Sequence, residues 1–134
     1  MSIFVDTSAF LAVLDADDRH HRRAKAFWTD AMTREETLIT TNYILLETYA
    51  LVQNRLGMDA VRDFSTIIAP LLEIIWVDED IHRRGLSALL AANRRKLSLV
   101  DCVSFEAARD RAIYQVFTFD KHFREQGFYC LPGT

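Results

Sequence analysis

Cysteine, proline and glycine are all scarce in this chain, with 2 Cys, 2 Pro and 4 Gly among 134 residues. Cys102 and Cys130 match no metal-binding spacing and read as buried, reduced thiols, in keeping with a cytoplasmic setting. So little proline and glycine excludes a linker-rich or fibrous chain. No segment repeats at a solenoid period. The longest apolar runs, such as Tyr43–Leu46 and Ile67–Leu72, fall far short of the roughly 18 residues that span a bilayer. The opening Met-Ser-Ile-Phe-Val-Asp has no basic stretch and no cleavage site, so no secretory signal is expected. A Gly-rich phosphate loop is also missing. His20, His21, His82 and His122 show no metalloprotease spacing and read as surface residues. Basic residues are not in surplus either, and a formal charge of −3 speaks at face value against nucleic acid.

What is present is a folding composition, 50% hydrophobic and 26% charged, of a length that suits one domain over 1–134. Short β-branched and aromatic runs predict strands at Ser2–Val5, Thr37–Thr40, Glu73–Val77, Tyr114–Phe119 and Phe128–Leu131. Helical spacing predicts helices at Ser8–Leu14, His20–Met32, Asp80–Ala92, Leu99–Arg111 and Lys121–Gln126. A further helix runs from an Asn42 cap to Leu56 with Gly57 beyond its end, and Asp59 caps another that Pro70 ends or bends. Gly85 reads as an interruption of its helix, and Trp28 and Trp76 as core. Alternating strands and helices predict an α/β fold, a mostly parallel sheet with helices on both faces.

Three strand-like runs end in aspartate: Ile3-Phe4-Val5 at Asp6, Ile74-Ile75-Trp76-Val77 at Asp78, and Val116-Phe117-Thr118-Phe119 at Asp120. Ligands of open α/β sheets bind beyond the carboxyl ends of the strands. Glu47 has Tyr43, Ile44, Ala50 and Leu51 as helical neighbours, and Asp101 has Leu97, Phe105 and Ala108, so both carboxylates fall on core-facing stripes. Asp101 also sits in a first helical turn after the Ser98 cap, where the dipole favours negative charge. Two carboxylates about 5 Å apart at an effective dielectric of about 20 repel by about 3 kcal/mol. Such a cluster persists when a cation neutralises it or when some members stay protonated. Oxygen ligands select Mg²⁺ or Mn²⁺ over zinc. Counting out Asp6, Glu47, Asp101 and Asp120 moves the charge from −3 to +1. Basic clusters remain, among them Arg94, Arg95 and Lys96 just before the Asp101 helix, which are candidate RNA contacts. Carboxylates with a hard cation and basic surroundings suit phosphodiester hydrolysis.

Phe4-Val5-Asp6-Thr7-Ser8, Thr40-Thr41-Asn42 with Glu47, Leu97-Ser98-Leu99-Val100-Asp101-Cys102, and Thr118-Phe119-Asp120-Lys121-His122-Phe123 with Gly127-Phe128 follow one another in this order. In these motifs the chain resembles the PIN-domain ribonucleases, in particular the VapC-type toxins of toxin–antitoxin pairs. The resemblance implies a three-layer fold with a five-stranded parallel sheet. It also implies an acidic quartet of Asp6, Glu47, Asp101 and Asp120. Metal would be held by the three aspartates, with Glu47 acting directly or through water, and Thr7, Ser8 and Thr118 would support the site. It implies homodimers and an antitoxin partner as well. Asp78 matches no position of the quartet and reads as a helix cap. The function expected is a Mg²⁺- or Mn²⁺-dependent endoribonuclease toxin. The rivals are a PIN-fold RNA-binding module without turnover and a phosphoacceptor receiver domain, which the helix-borne acids fit poorly.

Overall fold

The computed structural model describes residues 1–133. Ser2–Val5 forms β1, whose Ile3, Phe4 and Val5 are all buried because helices cover both faces of the sheet. Around it run α1 (Thr7–Leu14), α2 (His21–Thr33), β2 (Thr37–Thr41), α3 (Asn42–Leu56), α4 (Met58–Asp63), β3 (Leu72–Ile75), α5 (Glu79–Ala92), α6 (Leu99–Asp110), β4 (Gln115–Phe117), α7 (Lys121–Glu125) and β5 (Tyr129–Leu131). The strands make one parallel sheet in the order β3-β2-β1-β4-β5. Phe4 lies opposite Ile39 of β2 and Val116 of β4, so β1 is the central strand. The chain builds outward from β1 first to one edge and then to the other. The reversal leaves a crevice at the carboxyl ends of β1 and β4.

The core under this crevice is aromatic. Phe123 stands edge-on to Phe105 and also meets Phe4 and Phe128, while Phe10 and Tyr49 both pack on Phe64. Each such ring contributes about 1.5–3 kcal/mol on burial. No helix among the described residues is long and apolar enough to cross a membrane.

Several local expectations are corrected. Thr41, not Asn42, caps α3: its Oγ1 accepts from the Ile44 N–H at 3.1 Å. Asn42 is the first helical residue, and its Oδ1 accepts from the Val77 N–H at 2.7 Å, tying down the chain after β3. Gly57, with φ of 90°, serves as both the end of α3 and the cap of α4, so Asp59 falls inside the first turn and pairs with Arg62 instead. Pro70 sits in a 3-10 turn that follows a π turn at Phe64–Ile68. β3 stops at Ile75, and Trp76 is 72% exposed rather than core. Trp28 is half-buried against the core. Gly85 does not interrupt α5, which runs through it; a Cβ there would lie 2.6 Å from Val103 Cγ2 of α6. It is a contact glycine. Asp78 caps α5 as expected, accepting from the Ile81 N–H at 2.9 Å. β4 is shorter than its apolar run: it stops at Phe117, although the Thr118 N–H still donates to the Leu131 carbonyl of β5 at 3.1 Å.

Candidate active site

Asp6 leaves β1 at the crevice and is 3% exposed. Its Oδ2 accepts from Ser8 Oγ at 2.8 Å and from Thr118 Oγ1 at 3.0 Å. Each of those hydroxyls is engaged again on its acceptor side. Ser8 Oγ accepts from the Phe119 N–H at 2.9 Å, and Thr118 Oγ1 accepts from the Asp120 N–H at 2.9 Å. With its single proton given to Asp6, each hydroxyl has a defined orientation. The ring of bonds ties the end of β1, the first turn of α1 and the segment after β4 into one unit. Ser8 and Thr118 thus support the carboxylate. Thr7 Oγ1 is buried without a hydrogen-bond partner among the described residues.

Asp101 lies in the first turn of α6 in a capping box. Ser98 Oγ accepts from the Asp101 N–H at 3.0 Å, and Asp101 Oδ2 accepts from the Ser98 N–H at 3.2 Å. Asp120 caps α7, its Oδ1 accepting from the His122 N–H at 2.9 Å. That turn swings the His122 ring back, so that Nδ1 is 2.7 Å from Asp120 Oδ1 and 3.7 Å from Asp101 Oδ2. The 2.7 Å approach lacks the geometry of a ring N–H hydrogen bond, and neither ring nitrogen has a bonded partner among the described residues.

Burial pushes the Asp6 carboxyl from its ordinary 3.8 up to about 7; the Ser8 and Thr118 bonds pull it down, and the charges of Asp101 and Asp120 push it up. Burial likewise raises Asp101, against the pull of the Ser98 bonds. The three aspartates therefore act on one another as the sequence suggested. Glu47 stands apart from that arrangement. It is half-buried on α3, with no hydrogen bond or ion pair among the described residues. Its stripe is less enclosed than its neighbours imply, since Ala50 is exposed and Leu46 is 73% exposed. The helix itself packs against both α1 and α6, the helices that follow Asp6 and carry Asp101.

Atoms of Asp101, Asp120 and His122 capable of ligating a cation lie within 4.8 Å of one another. The carboxylates of this set, with buried Asp6 acting on them through its charge, suit Mg²⁺ or Mn²⁺, and the imidazole favours Mn²⁺ over Mg²⁺. His122, 8% exposed, corrects the reading of the histidines as surface residues. The missed signal is Asp-x-His at a helix start. Here the capping Asp120 accepts from the His122 N–H, and the His122 ring lies beside the same carboxylate.

The PIN domain family model matches residues 3–129. This chain belongs to the PIN-domain family. The PIN domain is 31% identical over 127 residues to the 23S rRNA-specific endonuclease VapC20 of Mycobacterium tuberculosis, covering 94% of this chain and 95% of that protein. The crystal structure of VapC20, described as a sarcin–ricin loop cleaving toxin, superposes with a TM-score of 0.84 at 30% identity, over 94% of this chain and 95% of that one. FitAcB of Neisseria gonorrhoeae, at 17% identity and a TM-score of 0.68, covers 97% of this chain and 96% of its own and shares the fold. The five-stranded parallel sheet of this PIN domain is the one its motifs implied.

Proposed function

We propose that this PIN domain is a metal-dependent endoribonuclease, the toxin of a toxin–antitoxin pair, that hydrolyses RNA phosphodiester bonds at the crevice. The observation that carries the reading is the convergence of Asp6, Asp101 and Asp120, two of them with carboxyls raised mainly by burial and all three on separate segments. Carboxyls raised by burial and gathered in a crevice mark a candidate functional site.

Asp6, Asp101 and Asp120 would hold Mg²⁺ or Mn²⁺, with His122 beside them and Glu47 reaching in directly or through water. A bound divalent ion supplies activation of the attacking water and neutralisation of charge developing at the phosphate. Ser8 and Thr118 fix the Asp6 carboxylate, and Ser98 fixes that of Asp101, so the oxygens are held in place before the cation arrives. Burial raises the Asp6 carboxyl to about 7, so a cation held there would bind in competition with protons and more strongly as pH rises. Arg94, Arg95 and Lys96 are proposed as outlying RNA contacts.

The VapC20 likeness makes 23S rRNA the first substrate to try. An antitoxin that blocks the crevice and a homodimeric state are proposed with it, on the strength of the VapC-type motifs and of that relative being a toxin. The test is incubation of purified protein with ribosomal RNA in Mg²⁺, in Mn²⁺ and in chelator. Cuts that need the divalent ion and vanish in Asp101→Asn support the reading. RNA left intact under every condition, or cut equally well in chelator, overturns it.

A further inference from the structure

A hollow of about 180 Å³ opens beside Asp120, and Asp101 is not among the residues that line it. His20, Arg23, Phe119, Lys121 and Arg124 line it, and Asp120 is its one carboxylate wall. The His20 and Phe119 rings lie nearly parallel, at 6° with centroids 4.4 Å apart, and the Arg23 guanidinium stands 5.8 Å from the Phe119 centroid. Phe119 is fixed through its backbone: its N–H donates to the same Ser8 hydroxyl that donates to Asp6. The stack is thereby held in register with the acidic centre.

Seven of the chain's 16 Lys and Arg residues are tied to a carboxylate among the described residues. Arg34, Arg62, Arg83, Arg84, Arg94, Arg109 and Arg111 are each committed to a carboxylate. Lys121 and Arg124 form no ion pair among the described residues, although both border the hollow. Planar rings flanked by uncommitted cations match a nucleotide, whose base stacks and whose phosphate carries charge.

We propose that this hollow is a nucleotide subsite: one base of the RNA extends the His20–Phe119 stack, and Lys121 and Arg124 hold an adjoining phosphate. With Asp120 shared between the two sites, the nucleotide held here is next to the one that is cut. The subsite sets where the strand lies and favours unpaired RNA, since a base must leave its helix to stack on protein. This inference rests on the ribonuclease reading.

The experiment measures binding in chelator, where no cleavage competes. The probes are a short, labelled, mixed-sequence single-stranded oligoribonucleotide and an abasic strand of the same length. Phe119→Leu keeps apolar bulk at a half-exposed position and removes the aromatic face. It should weaken the base-bearing strand at least about fivefold and leave the abasic strand unchanged. Lys121→Ala/Arg124→Ala alters only exposed side chains. It should weaken both strands and flatten the salt dependence of log K by about 0.7, the value for one phosphate of a single strand. Phe119→Tyr should restore binding. Unchanged affinity in both variants, or no binding by the wild-type protein in chelator, overturns the subsite. Cleavage of ribosomal RNA by the wild-type protein still decides the ribonuclease reading separately.

Discussion

Two regions of this molecule are buried on opposite terms. Where α5 crosses α6, close approach is reached by leaving a side chain out: Gly85 rests on the backbone and side chain of Val103. At the carboxyl ends of β1 and β4, ionisable and polar groups fill the space instead. Asp6, Thr7, Asp101, Thr118 and His122 are all buried there. Thr7 Oγ1 and both His122 ring nitrogens lack a protein hydrogen-bond partner, a condition that costs about 1–3 kcal/mol per group. The first region stabilises the fold; the second draws on that stability to keep carboxyl groups buried close together. Sites at which several local rules are broken at once are where function resides.

The contrast predicts that neutralising a carboxylate and filling the glycine gap act on different quantities. The largest effect falls on cleavage. Asp101→Asn keeps the shape and can still accept from the Ser98 N–H, so its stability in chelator should stay within about 1 kcal/mol of wild type or exceed it, because a desolvated charge is gone. Its RNA cleavage should fall by more than about a hundredfold, beyond the loss typical of a group one step removed from a metal. Melting curves in chelator beside a cleavage assay check both halves. Destabilisation of about 3–5 kcal/mol would mean that Asp101 is structurally paired instead.

Next in size is a pH effect. The Asp6 carboxyl titrates near 3.8 when unfolded and at about 7 when folded. Between those values the native state holds a proton that the unfolded state has lost. Stability from this group is therefore complete below about pH 4 and drains away as pH rises to about 7, by about 1.4 kcal/mol per unit. Urea unfolding in chelator at pH 5, 6 and 7 should show the decline, and Asp6→Asn should remove most of it. A wild-type curve that rises across this window would contradict the burial of a protonated Asp6.

On the scaffold side, Gly85→Val should cost about 2 kcal/mol of unfolding free energy, since the new atoms meet Val103 Cγ2 and its main chain. Valine is the sharper probe because alanine would regain about 1 kcal/mol of helix propensity. The folded fraction should cleave RNA at the wild-type rate. Loss of cleavage without loss of stability would join the two regions that the comparison separates.

Much of this arrangement was legible in the sequence because its signals are local. Strand runs ending in Asp6 and Asp120, and the Ser98–Asp101 box, need only neighbours within a few positions. What was not legible depends on which helix face meets which partner. The stripe around Glu47 reads as buried until Leu46 and Ala50 are seen to face solvent. Gly85 reads as a break until Val103 arrives from another helix. Trp76 reads as core until β3 stops one residue before it. Charge shows the same division: Arg94, Arg95 and Lys96 are adjacent in sequence, whereas Arg23 comes from α2 and Lys121 and Arg124 from α7, and only folding brings them to one hollow.

The smallest predicted effect tests that last division. Arg94 donates to Glu125 at 2.8 Å; the contact raises the guanidinium and holds the Glu125 carboxyl below the usual carboxylate range. Both side chains are substantially exposed, so the pair contributes little to the fold, and Arg94→Ala should leave the melting temperature within error. Its positive charge is already answered, so Arg94→Ala should also change the salt slope of RNA binding by less than the roughly 0.7 expected for one free phosphate contact. Glu125→Ala is the sharper variant, because it releases Arg94 without adding a cation. If the 94–96 loop lies along the RNA, that release should tighten binding and steepen the slope by up to about 0.7. Unchanged affinity and slope in Glu125→Ala would take the loop off the path of the strand and leave Lys121 and Arg124 as the cations that grip it.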